Sequence, residues 1–207
     1  MMPVAILCGG KGTRLAPLTD HLPKSLVDVC GKPFILHQFD LLKKNGYTDV
    51  VLLVGYLAYM IEDVVGDGSQ FGMRVRYSYD KISDIDGAIK QAFPLLSPQF
   101  FVIYGDSYLD CDYAAIETVF RSCGCESLET TCKGVGYGLR AFHRYPAINH
   151  VEYPMPRAFE EIGSHEGLAR VRALLSYSGS YLHETCNVVD ALPVAQIERI
   201  VLQLREA

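Results

Sequence analysis

Long hydrophobic runs, basic runs and repeats are all missing from this sequence. No segment reaches the roughly 18 consecutive apolar residues that a membrane-crossing helix needs. The longest run of Lys or Arg is Lys43-Lys44, and 19 Lys and Arg stand against 24 Asp and Glu for a net charge of −5. That balance leaves no electrostatic footprint for a nucleic-acid backbone or an anionic membrane surface. The apolar stretch from Met1 to Cys8 has no basic segment before it and runs into Gly9-Gly10 rather than a small-residue cleavage site, so no secretory signal is expected. No internal repeat or low-complexity tract is present. The six histidines form no ligand constellation, and His37 and His143 are expected to be packed or surface residues.

Cysteines number seven: Cys8, Cys30, Cys111, Cys123, Cys125, Cys132 and Cys186. An odd count, with several members in apolar runs, reads as thiols acting as small hydrophobes in a reducing cytoplasm. Cys123-Gly124-Cys125 with Cys132 lacks both the two-residue spacer of a zinc knuckle and a paired histidine, so thiols rather than metal ligands are expected there.

The composition that remains, 49% hydrophobic and 21% charged over 207 residues, is that of a globular chain long enough for one full domain. Pro3 to Cys8 is a short apolar run that stops at glycines, as a buried parallel strand does. Phe34 to Lys44 has helical spacing, a proline before it, lysines in its last turn and Asn45-Gly46 after it. Strands are expected at Val50–Val54, Met73–Tyr79 and Phe100–Tyr104, and helices at Ala58–Val65, Asp86–Phe93 and Tyr113–Ser122. This alternation predicts a Rossmann-like, doubly wound, mostly parallel α/β sheet. From Gly124 to Pro156 the pattern degrades, and only Tyr137–Phe142 is expected as a strand. Helices are expected again at Glu166–Leu175, Tyr181–Asp190 and Val194–Arg205.

The chemistry concentrates in Gly9-Gly10-Lys11-Gly12-Thr13-Arg14-Leu15, directly after the first strand, with Pro23-Lys24 and Gly31-Lys32-Pro33 downstream. Glycines let a backbone approach a polyphosphate and offer it N–H donors, while Arg14 and Lys24 supply positive charge. The dinucleotide fingerprint fails because Leu15 stands where its third glycine would be, which counts against a nicotinamide-dependent oxidoreductase. The P-loop fails because no Gly-Lys-Ser/Thr closes the loop.

The run from Gly9 through Pro17-Leu18-Thr19, Pro23-Lys24 and Val27-Asp28-Val29-Cys30-Gly31-Lys32-Pro33 resembles the signature of the sugar-1-phosphate nucleotidyltransferases, including their thymidylyl and heptose guanylyl branches. The resemblance is near-continuous from Val4 to about Tyr113. It implies a fold of the nucleotide-diphospho-sugar transferase type and a reaction of an NTP, with GTP or dTTP favoured, and a sugar 1-phosphate to give an NDP-sugar and pyrophosphate. It implies that Leu7, Gly9, Gly10, Gly12, Thr13 and Gly87 contact the nucleotide, that Arg14 grips the departing phosphates, and that Lys24 neutralises charge at the α-phosphorus. Asp106, after Gly105 at a strand end, matches the first Mg²⁺ carboxylate, and Glu161 in Phe159-Glu160-Glu161-Ile162-Gly163-Ser164 matches the second. Mg²⁺ suits hard oxygen ligands. An aspartate after glycine is also a common strand-end turn, and Glu161 also reads as an ordinary surface glutamate. Asp110 and Asp112 are expected to face solvent or cap a helix.

The chain departs from the family pattern in two places. The turn expected to contact base and sugar reads Ile82-Ser83-Asp84-Ile85-Asp86-Gly87-Ala88, keeping only the final Gly-Ala and introducing two acids. The sugar-side section is shortened across 124–156, so the cover over the sugar is expected to be reduced. The expected organisation is a nucleotidyltransferase domain over 1–175 and a helical tail over 176–207. That tail is similar to the opening helices of sedoheptulose-7-phosphate isomerases, which tilts the sugar toward a heptose and the nucleotide toward GTP. A homo-oligomer in the cytoplasm, with no nucleic-acid or membrane partner, completes the expectation. A catalytically weak nucleotide-binding relative is the rival reading.

Overall fold

The apolar runs around Ile6, Leu52 and Ile103 lie side by side as parallel strands, with Ile6 in register with both of the others. The structure, a computed structural model, describes residues 1–79, 84–132, 135–143, 147, 149–156 and 159–176. In chain order the strands and α-helices are β1 (Val4–Leu7), β2 (Asp28–Val29), β3 (Lys32–Pro33), α1 (Phe34–Lys44), β4 (Asp49–Val54), α2 (Ala58–Val65), β5 (Arg74–Tyr79), α3 (Ile85–Ala92), β6 (Phe100–Tyr104), β7 (Ser107–Tyr108), α4 (Tyr113–Ser122), β8 (Ser127–Cys132), β9 (Val135–Phe142), β10 (His150–Pro154), β11 (Glu160–Glu161) and α5 over 165–176. Met1–Val171 forms one compact unit, which holds both sheet and cleft. The helices expected at 181–190 and 194–205 lie outside the described residues.

The main sheet has the order β10-β8-β9-β6-β1-β4-β5. β6, β1, β4 and β5 are mutually parallel, and β9 is antiparallel to both β6 and β8. The central strands read as continuous apolar runs because both of their faces are covered. Val4, Ile6, Val50, Leu52, Val54, Phe101 and Ile103 face the layer of α1, α2 and α4, where Phe39, Ile61 and Tyr113 are buried. Ala5, Val51, Leu53, Phe100 and Val102 face α3 through Ala88, Ile89 and Ala92. The alternation of one residue to each face is the two-residue period of a strand at work on a doubly covered sheet. The helices expected at Phe34–Lys44, Ala58–Val65 and Tyr113–Ser122 form over those residues. Asp112 caps α4 by accepting the Ala115 N–H at 2.9 Å.

Two expectations are corrected. The segment 124–156 carries three strands rather than one, because β8 fills buried positions with Ser127, Thr130 and Thr131 beside Leu128, and β10 alternates exposed with half-buried residues, so neither shows an apolar run. Arg140 pairs with Glu129 across β8 and β9 at 2.6 Å, and Thr130 Oγ1 donates to the Leu139 carbonyl and accepts its N–H, both at 3.2 Å. A hydrophobicity pattern does not register such pairing. Cys123 and Cys125 are joined by a disulfide rather than left as thiols. Gly124, at φ +64°, turns the chain so that the two Cα atoms stand 5.3 Å apart, within bridging range.

Tyr47 ties the α1–β4 connection to α4. Its ring packs 5.6 Å from Phe101 and 5.7 Å from Tyr113, and its hydroxyl donates to the Glu117 carboxylate. Burial, then the bond to Glu117, pushes the phenol up. Desolvation alone would raise Glu117, but the bonds from Tyr47 and Arg121 outweigh it and hold the carboxyl below its ordinary value. Tyr47→Phe is expected to cost about 1–2 kcal/mol in urea denaturation near neutral pH. A lowered carboxyl contributes stability above its unfolded value and loses it as pH falls through the folded one. The gap between wild type and variant should therefore shrink below about pH 4.

Candidate active site

The carboxyl ends of β6, β1 and β4 open onto a cleft of about 560 Å³. Its lining includes Leu7 at the end of β1, Gly9, Gly10 and Lys11 from the loop after it, Lys24, Leu53 and Gly55 at the end of β4, Asp84 and Ile85, and Gly105-Asp106 after β6. Ligands of open parallel sheets collect at such strand ends because the connecting loops part there. Lys11 extends over Tyr56, its ammonium 6.0 Å from the ring centroid.

Lys24 Nζ donates to Asp106 Oδ2 at 2.6 Å, joining the loop after β1 to the end of β6. Both side chains are largely but not wholly buried, so the pair keeps a face toward the cleft. The turn that carries Asp106 is clamped from beneath. Gln38 Nε2, buried in α1, donates at 2.9 Å to the carbonyls of both Tyr104 and Ser107, which bracket Gly105-Asp106. Gly105 itself leaves no space for a side chain, since a Cβ there would lie 2.5 Å from the Leu7 carbonyl oxygen.

Glu161 arrives through backbone pairing. β11 runs antiparallel to β7 with Glu161 opposite Ser107, and the Ile162 N–H donates to the Asp106 carbonyl at 2.8 Å. Gly163 follows at the centre of the charged groups. A Cβ placed on it would lie 2.8 Å from Arg14 Nη2, 3.1 Å from Glu161 Oε2 and 3.2 Å from Asp106 Oδ2. Arg14, Glu161 and Asp106 therefore converge on one point, beside which Lys24 is already paired. His165, at the start of α5, donates from Nε2 to the Ala16 carbonyl at 3.0 Å and ties this segment to the glycine loop. Arg170 fastens α5 to β11 through Glu160 at 2.8 Å.

Two carboxylates flanked by two cations suit a divalent ion that takes one or two protein carboxylates and completes its shell with phosphate oxygens and water. Asp106 and Glu161 fit Mg²⁺ in that manner. No group of three or more His, Cys, Asp or Glu capable of holding an ion by itself assembles among the described residues.

Of the residues singled out in the sequence, Leu7, Gly9, Gly10, Lys24 and Asp106 line the cleft. Gly12 and Thr13 stand beyond that lining, where the Gly12 carbonyl accepts from Thr19 Oγ1 and the Leu15 N–H, both at 2.8 Å. Gly87 is buried in α3 with its N–H given to Asp84 at 2.7 Å, and its neighbours Asp84, Ile85 and Ala88 line the cleft in its place. Sequence reasoning passed over Gln38 and Gly163. Gln38 had a signal, since a polar residue at the spacing of Phe34, Ile35, Leu41 and Leu42 interrupts the buried stripe of its helix. Cys8 also lines the cleft. Burial pushes its thiol up to about 12 despite the nearby Lys24, so it stays protonated and unreactive there.

Gly163→Ala is expected to spare the fold and disturb the site, because the nearest atom to the new methyl is the end of the flexible Arg14 side chain. Calorimetric titration with Mg²⁺-pyrophosphate should show roughly tenfold weaker binding, a loss of about 1.4 kcal/mol. Urea denaturation should show a stability change of about 0.5 kcal/mol or less.

A model of the Nucleotidyl transferase family matches residues 4–138. The N-acetylmuramate alpha-1-phosphate uridylyltransferase of Neisseria meningitidis is 43% identical over 117 residues, 55% of this chain and 51% of that enzyme. The D-glycero-alpha-D-manno-heptose 1-phosphate guanylyltransferase of Campylobacter jejuni is 31% identical over 161 residues, 77% of this chain and 68% of that enzyme. The matched region thus spans about half to two thirds of these relatives' own lengths. Among solved structures, HddC from Yersinia pseudotuberculosis complexed with GMP-PN superposes with a TM-score of 0.70 at 22% identity, covering 84% of this chain and all of that one. A UDP-glucose pyrophosphorylase complexed with UDP-glucose gives 0.70 at 13% identity, covering 86% of this chain and 99% of that one. These likenesses bear on the fold alone, and they agree with the mostly parallel sheet and flanking helices seen here. The family model spans well over half of the chain, including the glycine loop, Lys24 and Asp106, and the chain belongs to the nucleotidyl transferase family.

Proposed function

We propose that the chain is a Mg²⁺-dependent sugar-1-phosphate nucleotidyltransferase acting in nucleotide-sugar biosynthesis in the cytoplasm. The observation that carries the reading is the convergence of Arg14, Glu161 and Asp106 on Gly163 beside the Lys24–Asp106 pair, which itself lines the glycine-lined cleft. The names of the Neisseria and Campylobacter relatives, both transferases of a nucleotidyl group to a sugar 1-phosphate, support it. No helix among the described residues is long and apolar enough to cross a membrane.

In this reading an oxygen of the sugar phosphate attacks the α-phosphorus of the NTP, and the bond from that phosphorus to the β-phosphate oxygen breaks. Pyrophosphate leaves and the NDP-sugar forms. The nucleophile is already anionic near neutral pH, so no side chain has to remove a proton. The residues instead hold two polyanions together and neutralise charge in the transition state. Gly9 and Gly10 admit the phosphates closely, Lys24 faces the α-phosphorus, and Arg14 holds the departing pair. Asp106 keeps the Lys24 ammonium in place and, with Glu161, would hold Mg²⁺. The chemistry it would supply there is Lewis-acid neutralisation of phosphate charge. The resemblance of the loop favours GTP or dTTP and a heptose 1-phosphate as substrates, acted on by one copy or a homo-oligomer.

The test is pyrophosphate release by the purified chain with Mg²⁺ across the common NTPs and sugar 1-phosphates, heptose forms included. Turnover with one pair is expected. Lys24→Ala and Asp106→Asn should each lower it by at least about a hundredfold, the usual cost of removing a charge-stabilising group. A folded chain that NTP stabilises but that releases no pyrophosphate with any pair would overturn the proposal in favour of a binding protein.

A further inference from the structure

We infer that Cys123-Gly124-Cys125 is a second reactive site, a disulfide that exchanges with low-molecular-weight thiols of the glutathione class while the protein stays folded, and that Cys123 is the sulfur attacked. The turn joins α4 to β8 and contributes nothing to the lining of the cleft, so the site stands apart from the nucleotidyltransferase reading.

The two sulfurs differ in access. Cys123 is exposed, whereas Cys125 is 5% exposed and belongs to the core cluster that holds Phe120, Leu128 and Ala141. An incoming thiolate reaches Cys123 Sγ and not Cys125. A bond forms between its sulfur and Cys123, the Cys123–Cys125 bond breaks, and the electron pair leaves on Cys125 Sγ, which takes up a proton. A second thiolate attacks the outer sulfur of that mixed disulfide, releasing the small disulfide and a Cys123 thiolate that is protonated in turn. Two small thiols are oxidised to one disulfide, and the chain gains their two electrons and two protons. The same steps in reverse close the loop again.

The backbone holds the two cysteines together without the bond. The Cys123 N–H donates to the Val119 carbonyl at 2.9 Å, closing the last turn of α4, and Gly124 at φ +64° reverses the chain. On the far side, the N–H groups of Glu126 and Ser127 donate to the Asn149 carbonyl at 3.1 and 3.0 Å, and the Glu126 carbonyl accepts the His143 N–H at 2.8 Å. These bonds do not depend on the oxidation state of the sulfurs. A bridge across so short a loop also removes little freedom from the unfolded chain, so it adds little as a staple. Cys123 has a partner in either protonation state. The Cys125 N–H donates to its Sγ at 3.3 Å, which supports a thiolate, and the Phe120 carbonyl oxygen lies 3.2 Å from the same sulfur, placed to accept a thiol proton. Exposed disulfides are the exchangeable ones, and in a reducing compartment a disulfide is usually transient.

The full chain, folded and in buffer without urea, is equilibrated with reduced and oxidised glutathione in varied ratio and trapped with iodoacetamide. Mass spectrometry after proteolysis then reads Cys123 and Cys125 separately. The pair is expected to open and close reversibly with the ratio, the mixed disulfide staying a minor species because Cys125 remains beside Cys123 and displaces the small thiol. Cys125→Ala leaves no sulfur to reclose the loop and should raise the glutathione adduct at Cys123 at least about tenfold. Cys123→Ser should leave Cys125 with roughly a tenth of that adduct, since burial shields it. The urea midpoints of oxidised and reduced chains should nearly coincide. A bond that glutathione opens only where urea unfolds the chain, an adduct at Cys125 in place of Cys123, or a reduced chain that unfolds at a much lower urea concentration would each overturn the assignment. The glutathione titration and the two urea midpoints use the unsubstituted chain, so they decide the matter even where a variant fails to fold.

Discussion

The contact of Lys24 with Asp106 joins residues 82 positions apart at 2.6 Å, and the site is arranged around it. A cation on the loop after β1 and an anion at the end of β6 would each be poorly placed alone. Lys24 would be free to extend into solvent, and Asp106 would repel an approaching phosphate. Paired, they give the loop and the strand end a fixed spacing, and with Arg14 and Glu161 beside them two cations and two carboxylates stand together. The pair is partly shielded from water, where a charge-assisted bond is stronger than at an open surface and where the loss of one partner leaves the other uncompensated.

The other constraints serve to hold Asp106 still. Gln38 reaches up from the buried face of α1 to the carbonyls on both sides of the Gly105-Asp106 turn. β11 closes from the other side, placing Glu161 opposite Ser107 and handing the Ile162 N–H to the Asp106 carbonyl. Gly163 then leaves a gap that three charged side chains share. The carboxylates are thus positioned through backbone and core rather than through their own side-chain rotamers, the arrangement that lets a site act by positioning.

The edge of the sheet follows different physics from its centre. β6, β1 and β4 are covered on both faces by apolar burial, whereas β8 and β9 add to the buried Leu128, Leu139 and Ala141 an arginine–glutamate pair and a threonine that bonds across the strands. The centre carries the glycine loop and Asp106 on a rigid base.

Most of the central fold was legible because its determinants are local. Continuous apolar runs ending in glycine mark doubly covered strands, and the 3.6-residue spacing of α1 and α4 marks the helices that cover them. The glycine loop after β1 and the Gly105-Asp106 strand end were legible for the same reason, whereas the roles of Arg14, Lys24 and Asp106 are implied only by the resemblance of the loop to a family signature. β8 and β10 were not legible, since β8 buries Ser127, Thr130 and Thr131 beside Leu128 and β10 is only half buried, so neither presents an apolar run. What the sequence alone determined is the set of chemical groups and the strand ends that bear them. That Arg14, Glu161 and Asp106 meet at Gly163, that Gln38 holds their turn, and that Asp84 rather than Gly87 faces the cleft were decided only by the tertiary structure. Each depends on which chain segments the sheet order and the β7–β11 pairing bring together, and on which backbone amides the helix caps have already taken.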